Sequence, residues 1–314
     1  AGFGLSDAHR RIALKTLLLR RCSAGAALSG GSSDVSAVDE AANSISILLR
    51  DEPPQLDSSR ATDAISGMVL GHVMEGLVRM GLDSRLEGAV AKDWEVTPTT
   101  ATFWLRDNAK WNDGQPVTAA DFIFAWQTAL KPETASEYAF LLFAIKNAEA
   151  VNKGKLPASA LGVNAPDPYT LVIELERPVP FFDKMLVFPT FYPIREDFYA
   201  ATSGRFGADA DQLLYNGPFQ ISRWVHGSSM TFERNPHFWN QEEIHLDTIH
   251  VPYITSDGTA SLNFFKDGRI ASTGLQAENL TEAMRMGWQI RQHRDGTVFF
   301  LEFNHRPERL TDNL

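Results

Sequence analysis

Few side chains in this sequence stand at spacings that support catalysis or metal binding. Glu174 and Glu176 share one face of an alternating run, Thr170 to Glu176, the placement a general acid and base would need. Leu171, Ile173 and Leu175 occupy the other face, so the two carboxylates read as the solvated side of a half-buried strand. His245 and His250 lie in a strand and its approach, where an odd spacing sends them to opposite faces. Asp209-Ala-Asp211 carries a fragment of a calcium-loop rhythm without the glycine and distal glutamate such a loop requires. His72 sits in an apolar helical stripe with no histidine partner at helical spacing and reads as a packed, hydrogen-bonded side chain. Cys22, the single cysteine, excludes a disulfide within this sequence and any multi-thiolate metal site. No Gly-x-Ser-x-Gly elbow, phosphate-cradling glycine loop or His-Glu-x-x-His is present. These observations argue for no catalytic residues, no metal and no cofactor, and an abundance of Trp, Phe and Tyr suits a binding protein better than an enzyme.

The elements that carry these residues alternate between two periods. Ser44 to Arg50 begins a strand, with Ile45 and Ile47 on one face, before Pro53-Pro54. Ile65, Met68, Val69, His72, Val73 and Leu77 form one helical stripe. Thr102 to Arg106 alternates again, and Asn112-Asp113-Gly114 supplies a turn. Thr118-Ala-Ala-Asp121 reads as a capping box, with Asp in place of the usual Glu, and opens a helix whose stripe is Phe122, Ala125, Trp126, Ala129 and Leu130. Trp111 and Trp126 are assigned to packing. Further strands are predicted over 217–225 and 229–234, joined through His226-Gly227, and over 247–254, 288–293 and 297–304; helices are predicted near 256–266 and 278–286. Strands and helices intermix without a strict βαβ rhythm, a mixed α/β (α+β) pattern.

Composition sets the outer limits. With 314 residues, 44% of them hydrophobic and 22% charged, the chain has material for a large core and for more than one lobe. Thirty-nine acidic against 29 basic residues, a formal charge of −10, excludes a nonspecific grip on nucleic acid or an anionic membrane face. Residues 8–28 run from basic side chains through a short leucine stretch to Cys22 and then small residues. That order resembles an export signal ending at a lipid-modified cysteine. Residues 29–43 read as a flexible spacer, so that 1–43 precede the folded part. This arrangement suits a periplasmic or other extracytoplasmic protein, with Cys22 as the lipid-attachment candidate.

Five ordered motifs then point to one family. Phe103 through Gln127, including Trp111-Asn-Asp-Gly-Gln-Pro116, resembles the signature of the extracytoplasmic solute-binding proteins of peptide ABC transporters. Met74-Glu-Gly-Leu77, Lys131-Pro-Glu-Thr-Ala-Ser-Glu-Tyr138, Tyr215-Asn-Gly-Pro-Phe219 and Glu233-Arg-Asn-Pro-His-Phe-Trp-Asn240 stand in the family's order, and the stretch ending at Tyr138 resembles the oligopeptide-binding subgroup.

The resemblance implies a periplasmic-binding-protein-like clamp of two lobes with an extra subdomain. Residues 44–73 and 191–273 would form the first lobe, 74–190 the inserted subdomain, and 274–314 the start of a second lobe that is largely missing, since relatives continue well beyond Thr311-Asp-Asn-Leu314. It also implies a monomer that binds oligopeptides, needs no cofactor and delivers its ligand to permease subunits of an ABC transporter. An extended peptide offers the same N–H and C=O ladder whatever its sequence, so pairing with that ladder gains affinity without choosing side chains. Carried over residue by residue, the peptide-binding positions are Thr62, Asp63 and Ala64 beside the peptide backbone, Tyr138 facing the ligand, and Asn216 and Gly217 near the cleft. The subgroup often has glutamate where Thr62 stands, which alters the charge offered to a ligand. This length of chain is expected to bind weakly or not at all, and restoring the missing C-terminal segment is expected to recover affinity. Two alternatives stay open: a ligand-sensing module acting through a partner protein, and a secreted hydrolase, which turnover of peptides would reveal.

Overall fold

A computed structural model describes residues 36–81 and 83–291. The first strands, β1 (Val38–Asp39) and β2 (Ser44–Leu49), form an antiparallel hairpin. The predicted spacer therefore runs into the sheet. Its small polar residues make a turn: the Asp39 carboxylate accepts the N–H groups of Ala41 and Ala42, both at 3.0 Å, and Asn43 takes a left-handed φ of 51°.

After a loop comes α1 (Ala64–Val73), whose first turn is capped by the Asp63 carboxylate accepting from Ser66 N–H at 2.7 Å. The helical stripe in the sequence extends to Leu77, but the helix stops at Val73, and Met74 is extended at φ −133°. Distant residues end it. Gly217 N–H donates to Val73 C=O at 2.9 Å. The Asn216 amide accepts from Glu75 N–H at 3.0 Å and donates to Glu75 C=O at 2.9 Å, taking over main-chain groups that a longer helix would have bonded internally. A Cβ on Gly217 would lie 2.5 Å from the Val73 carbonyl carbon, so only glycine permits this approach.

The middle of the chain adds β3 (Val78–Met80), β4 (Leu86–Gly88), β5 (Ala91–Val96), β6 (Thr100–Leu105), α2 (Ala119–Leu130), β7 (Val163–Asp167) and β8 (Thr170–Glu174). The pair β3–β4 stands alone, while β5-β6-β8-β7 make an antiparallel four-stranded sheet. As the alternation predicts, Ala101, Phe103 and Leu105 are buried on β6, and Leu171, Ile173 and Leu175 on and just after β8. All five residues of the α2 stripe are buried, and Trp126 donates to Phe191 C=O at 3.1 Å.

The remaining strands are β9 (Phe219–Val225), β10 (Ser229–Arg234) and β11 (Thr248–Ile254), with the β9–β10 turn at His226-Gly227, where Gly227 has φ 69°. They complete a five-stranded sheet in the order β1-β2-β11-β10-β9, in which only β11–β2 is parallel. Helices follow at Gly258–Lys266 and Leu280–Arg285. The described part of the predicted strand 288–293 forms no strand, and 297–304 lies outside the described residues. One contiguous hydrophobic cluster runs under both large sheets, from Ile45 and Val251 to Phe103 and Ile173. Among the described residues no helix is long and apolar enough to cross a membrane.

The start of α2 ties this core to the signature turn. Thr118 N–H donates to the Asp121 carboxylate at 2.8 Å, and the buried Trp111 indole donates to the same oxygen at 3.3 Å. The shorter Asp thus closes the reciprocal half of the box. Burial pushes the Asp121 carboxyl up to about 6, against the opposing pull of those donors and of Arg195. The sign follows from linkage: the folded state holds this proton more tightly than the unfolded chain, so the contribution of Asp121 to stability is fully present below the ordinary value of 3.8 and is lost as pH rises through about 6.

Two outcomes are expected. In chemical denaturation, the stability difference between Asp121→Asn and the unaltered protein should move in favour of Asn from about pH 4 to about pH 6 and level off above about pH 7; a constant difference across that range contradicts the raised carboxyl. Gly217→Ala should destabilise by about 1–3 kcal/mol or more through overpacking against Val73, measurable as a lowered denaturation midpoint.

Candidate functional site

The segment Thr62–Ala64 is presented by a tight turn with its own buried anchor. The Asp57 carboxylate accepts from Ser59 N–H at 2.9 Å and from the Ser59 hydroxyl at 2.6 Å. The Asp57 carbonyl accepts from Arg60 N–H at 3.0 Å and Ala61 N–H at 2.8 Å. Burial pushes the Asp57 carboxyl up, opposed by Ser59 and by the charge of Arg60. Gly207 closes the turn from outside: its carbonyl accepts from Leu56 N–H at 2.8 Å, its φ is 73°, and a Cβ on it would lie 2.3 Å from the Asp57 nitrogen. The chain then leaves this anchor as half-buried Thr62 and Asp63 and exposed Ala64.

Tyr138 meets this segment from the other sheet's side of the molecule. Its phenol donates to the Thr62 carbonyl at 3.4 Å, a long bond, and its ring packs edge-on against Phe188 at 5.0 Å and Phe140 at 6.1 Å between centroids. Tertiary structure thus brings Thr62, Asp63, Ala64 and Tyr138 together, although 76 residues separate Thr62 from Tyr138. Asp63 is not a free carboxylate, because one of its oxygens caps α1.

Asn216 and Gly217 lie at the opposite end of α1, which at ten residues is about 15 Å long. Asn216 is 2% exposed and its amide is paired with the Glu75 main chain, so this side chain braces the end of α1. Gly217 does make the close backbone approach its type permits, but toward Val73 and Met74 of its own chain.

Below that brace lies a charged network that sequence reasoning did not assemble. Glu75, 3% exposed, accepts from Arg79 at 3.1 Å and from the Trp239 indole at 2.8 Å. Arg79 also donates to Glu87 at 3.2 Å, and Arg106 lies over the Trp239 ring at 3.8 Å while donating to Ala89 C=O at 2.8 Å. Burial opposes the Arg79 charge, but Glu75 and Glu87 together hold the guanidinium above its ordinary value. Glu75, Asn216 and Trp239 each belong to a motif visible in the sequence; that the three motifs meet at one residue, Asn216 on the Glu75 main chain and Trp239 on its carboxylate, was not.

The candidate chemistry groups stay apart. Glu174 pairs with exposed Lys146 at 2.6 Å and Glu176 accepts from Asn147 N–H at 3.0 Å, as a solvated face would. His72 hydrogen-bonds through Nδ1 to Met68 C=O at 2.8 Å and lies against Phe232. Asp209 caps a short turn by accepting from Ala210 N–H at 2.7 Å. No group of three or more His, Cys, Asp or Glu able to hold a metal occurs among the described residues. Cys22 lies outside the described residues. At the Thr62–Ala64 segment the Thr62 carbonyl accepts from the Tyr138 phenol and the Asp63 carbonyl from Gly67 N–H at 3.1 Å, with the rings of Phe140 and Phe188 packed against Tyr138.

Known proteins share this sequence and architecture. Residues 85–314 match the family model described as bacterial extracellular solute-binding proteins, family 5 Middle. The oligopeptide-binding protein OppA of Bacillus subtilis is 34% identical over 273 residues, which is 86% of this chain and 49% of that relative. The substrate-binding domain of an oligopeptide ABC transporter from Bacillus anthracis is 37% identical with a TM-score of 0.75, covering 78% of this chain and 47% of that one. Listeria monocytogenes OppA bound to peptide is 30% identical with a TM-score of 0.74, covering 77% and 48%. The chain spans about half the length of the curated relatives it matches. On motif order, on the mixed α/β architecture of periplasmic binding proteins and on this match, the chain belongs to the bacterial extracellular solute-binding proteins of family 5.

Proposed function

We propose that this chain is part of a protein that captures oligopeptides outside the cytoplasm through main-chain hydrogen bonds and delivers them unchanged to the permease subunits of an ABC transporter. The observation that carries the reading is the likeness, at a TM-score of 0.74, to a relative solved with peptide bound.

In this reading the five-stranded sheet, within 44–73 and 191–273 apart from β1, belongs to the first lobe. The four-stranded sheet lies in the inserted subdomain, 74–190, and 274–314 lead toward a second lobe. A peptide lies along Thr62, Asp63 and Ala64, with Tyr138 beside it. Main-chain pairing there is indifferent to ligand sequence, and bridging waters adapt the surrounding space to different side chains. With one carboxylate oxygen engaged at the start of α1, Asp63 offers at most its second oxygen to a ligand ammonium. Asn216 and Gly217 act indirectly, by holding the far end of the same helix. The protein works as a monomer, and Cys22 is its lipid-attachment site.

Titration of the 314-residue chain with a pool of tripeptides to pentapeptides, followed by calorimetry and by mass spectrometry of the peptides, tests the reading. Weak or no binding by this chain is expected, with every peptide mass unchanged, and tighter binding by a chain extended to the length of its relatives. Tyr138→Ala should lower peptide affinity by about 1–2 kcal/mol, roughly tenfold. Cleaved peptides would replace the reading with a hydrolase, and binding of sugars or metal chelates in place of peptides would overturn the ligand class.

A further inference from the structure

The ring of Phe140 is 56% exposed, and nothing in the local fold demands a phenylalanine there. It stands in a short 3₁₀ segment, Ala139–Ala144, where Ala139 and Leu142 take the inward positions at a spacing of three. Phe140 points outward from that face, yet it is not isolated. Its ring meets Tyr138 at 6.1 Å and 65°, and Tyr138 in turn meets Phe188 at 5.0 Å and 87°. The same Tyr138 donates to the Thr62 carbonyl, so the middle ring of the row lies beside the segment assigned to the ligand backbone. Phe188 is half-buried and its N–H donates to Met185 C=O at 3.1 Å, which fixes the inner end of the row.

We propose that Phe140, backed by Tyr138 and Phe188, forms the wall of a subsite for an aromatic side chain of the bound peptide. The proposal rests on the peptide-binding reading and adds a preference to it. Aromatic rings favour edge-on or offset contacts; the row already shows two edge-on contacts, and its outermost ring is still 56% exposed. A peptide held by its main chain along Thr62 projects alternate side chains to each side, so one residue of the ligand reaches this wall. The site would therefore select at one position of a ligand that is otherwise read only through its backbone.

The test compares four tripeptides, trialanine and its three single-Phe substitutions, titrated into the 314-residue chain and into its Phe140→Ala and Phe140→Tyr variants, with thermal midpoints recorded alongside. One Phe-containing peptide should bind about five- to tenfold more tightly than trialanine, the gain of one added aromatic pair. That ratio should fall to about one in Phe140→Ala and persist in Phe140→Tyr. A ratio of about one in the unaltered chain, or a ratio kept in Phe140→Ala, overturns the subsite while peptide binding itself stands. A ratio kept while Phe140→Ala lowers the thermal midpoint would mean that the ring covers the protein's own chain. Binding of none of the four peptides, by this chain and by a chain extended to the length of its relatives alike, overturns the peptide reading and the subsite with it.

Discussion

A helix end inside a protein must find partners for main-chain groups that have no bond of their own, and this constraint organises the molecule around α1. At its start Asp63 supplies the acceptor. At its finish the partners come from Asn216 and Gly217, the former 141 residues from Glu75 in sequence. An asparagine amide carries the same donor and acceptor as a peptide group, so one side chain satisfies both groups of Glu75 at once. Because Gly217 has no side chain, the turn preceding β9 sits directly on the end of the helix. Both ends of α1 are thus tied to the rest of the chain, and the segment just before it, Thr62 to Ala64, is held in a defined place.

Glu75 extends that tie outward. A buried carboxylate is costly unless it is paired and hydrogen-bonded, and here Arg79 and the Trp239 indole supply both conditions. Two glutamates, Glu75 and Glu87, face two arginines, Arg79 and Arg106, so the cluster carries no net charge. Arg106 leaves the end of β6 to stack on Trp239 beyond β10, which joins the end of one sheet to a loop of the other. The network explains why Glu, Asn and Trp stand in three separate motifs. They meet at one carboxylate and its main chain.

The candidate binding face draws on a different kind of order. Asp57, Gly207 and Asp63 shape main chain, whereas Tyr138, Phe140 and Phe188 add rings beside it. Shaped main chain recognises what every peptide has in common. Rings discriminate weakly among side chains, since one aromatic contact changes affinity by only about one order of magnitude. In the proposed peptide-binding reading, a surface built this way favours breadth of ligand, with at most a weak preference at one position.

Much of the local structure was legible without coordinates. The alternation in Thr102 to Arg106 and Thr170 to Glu176, the α2 stripe and the His226-Gly227 turn follow from period and turn chemistry, which neighbouring residues decide among themselves. The same local signals misplaced two boundaries. Residues 38–39 read as spacer because a polar turn and a linker share a composition, and the helical stripe ran on to Leu77 because its stopping point depends on Asn216 and Gly217. The motifs marked the family and drew attention to Tyr138 and Asn216 alike. Only the tertiary structure separated a phenol lying beside Thr62 from an amide buried against Glu75. Sequence by itself determined which faces are apolar and where turns fall, since periodicity is a property of the chain. Which distant groups satisfy a helix end or a buried carboxylate was decided by packing, because hydrogen-bond partners are chosen by proximity in space.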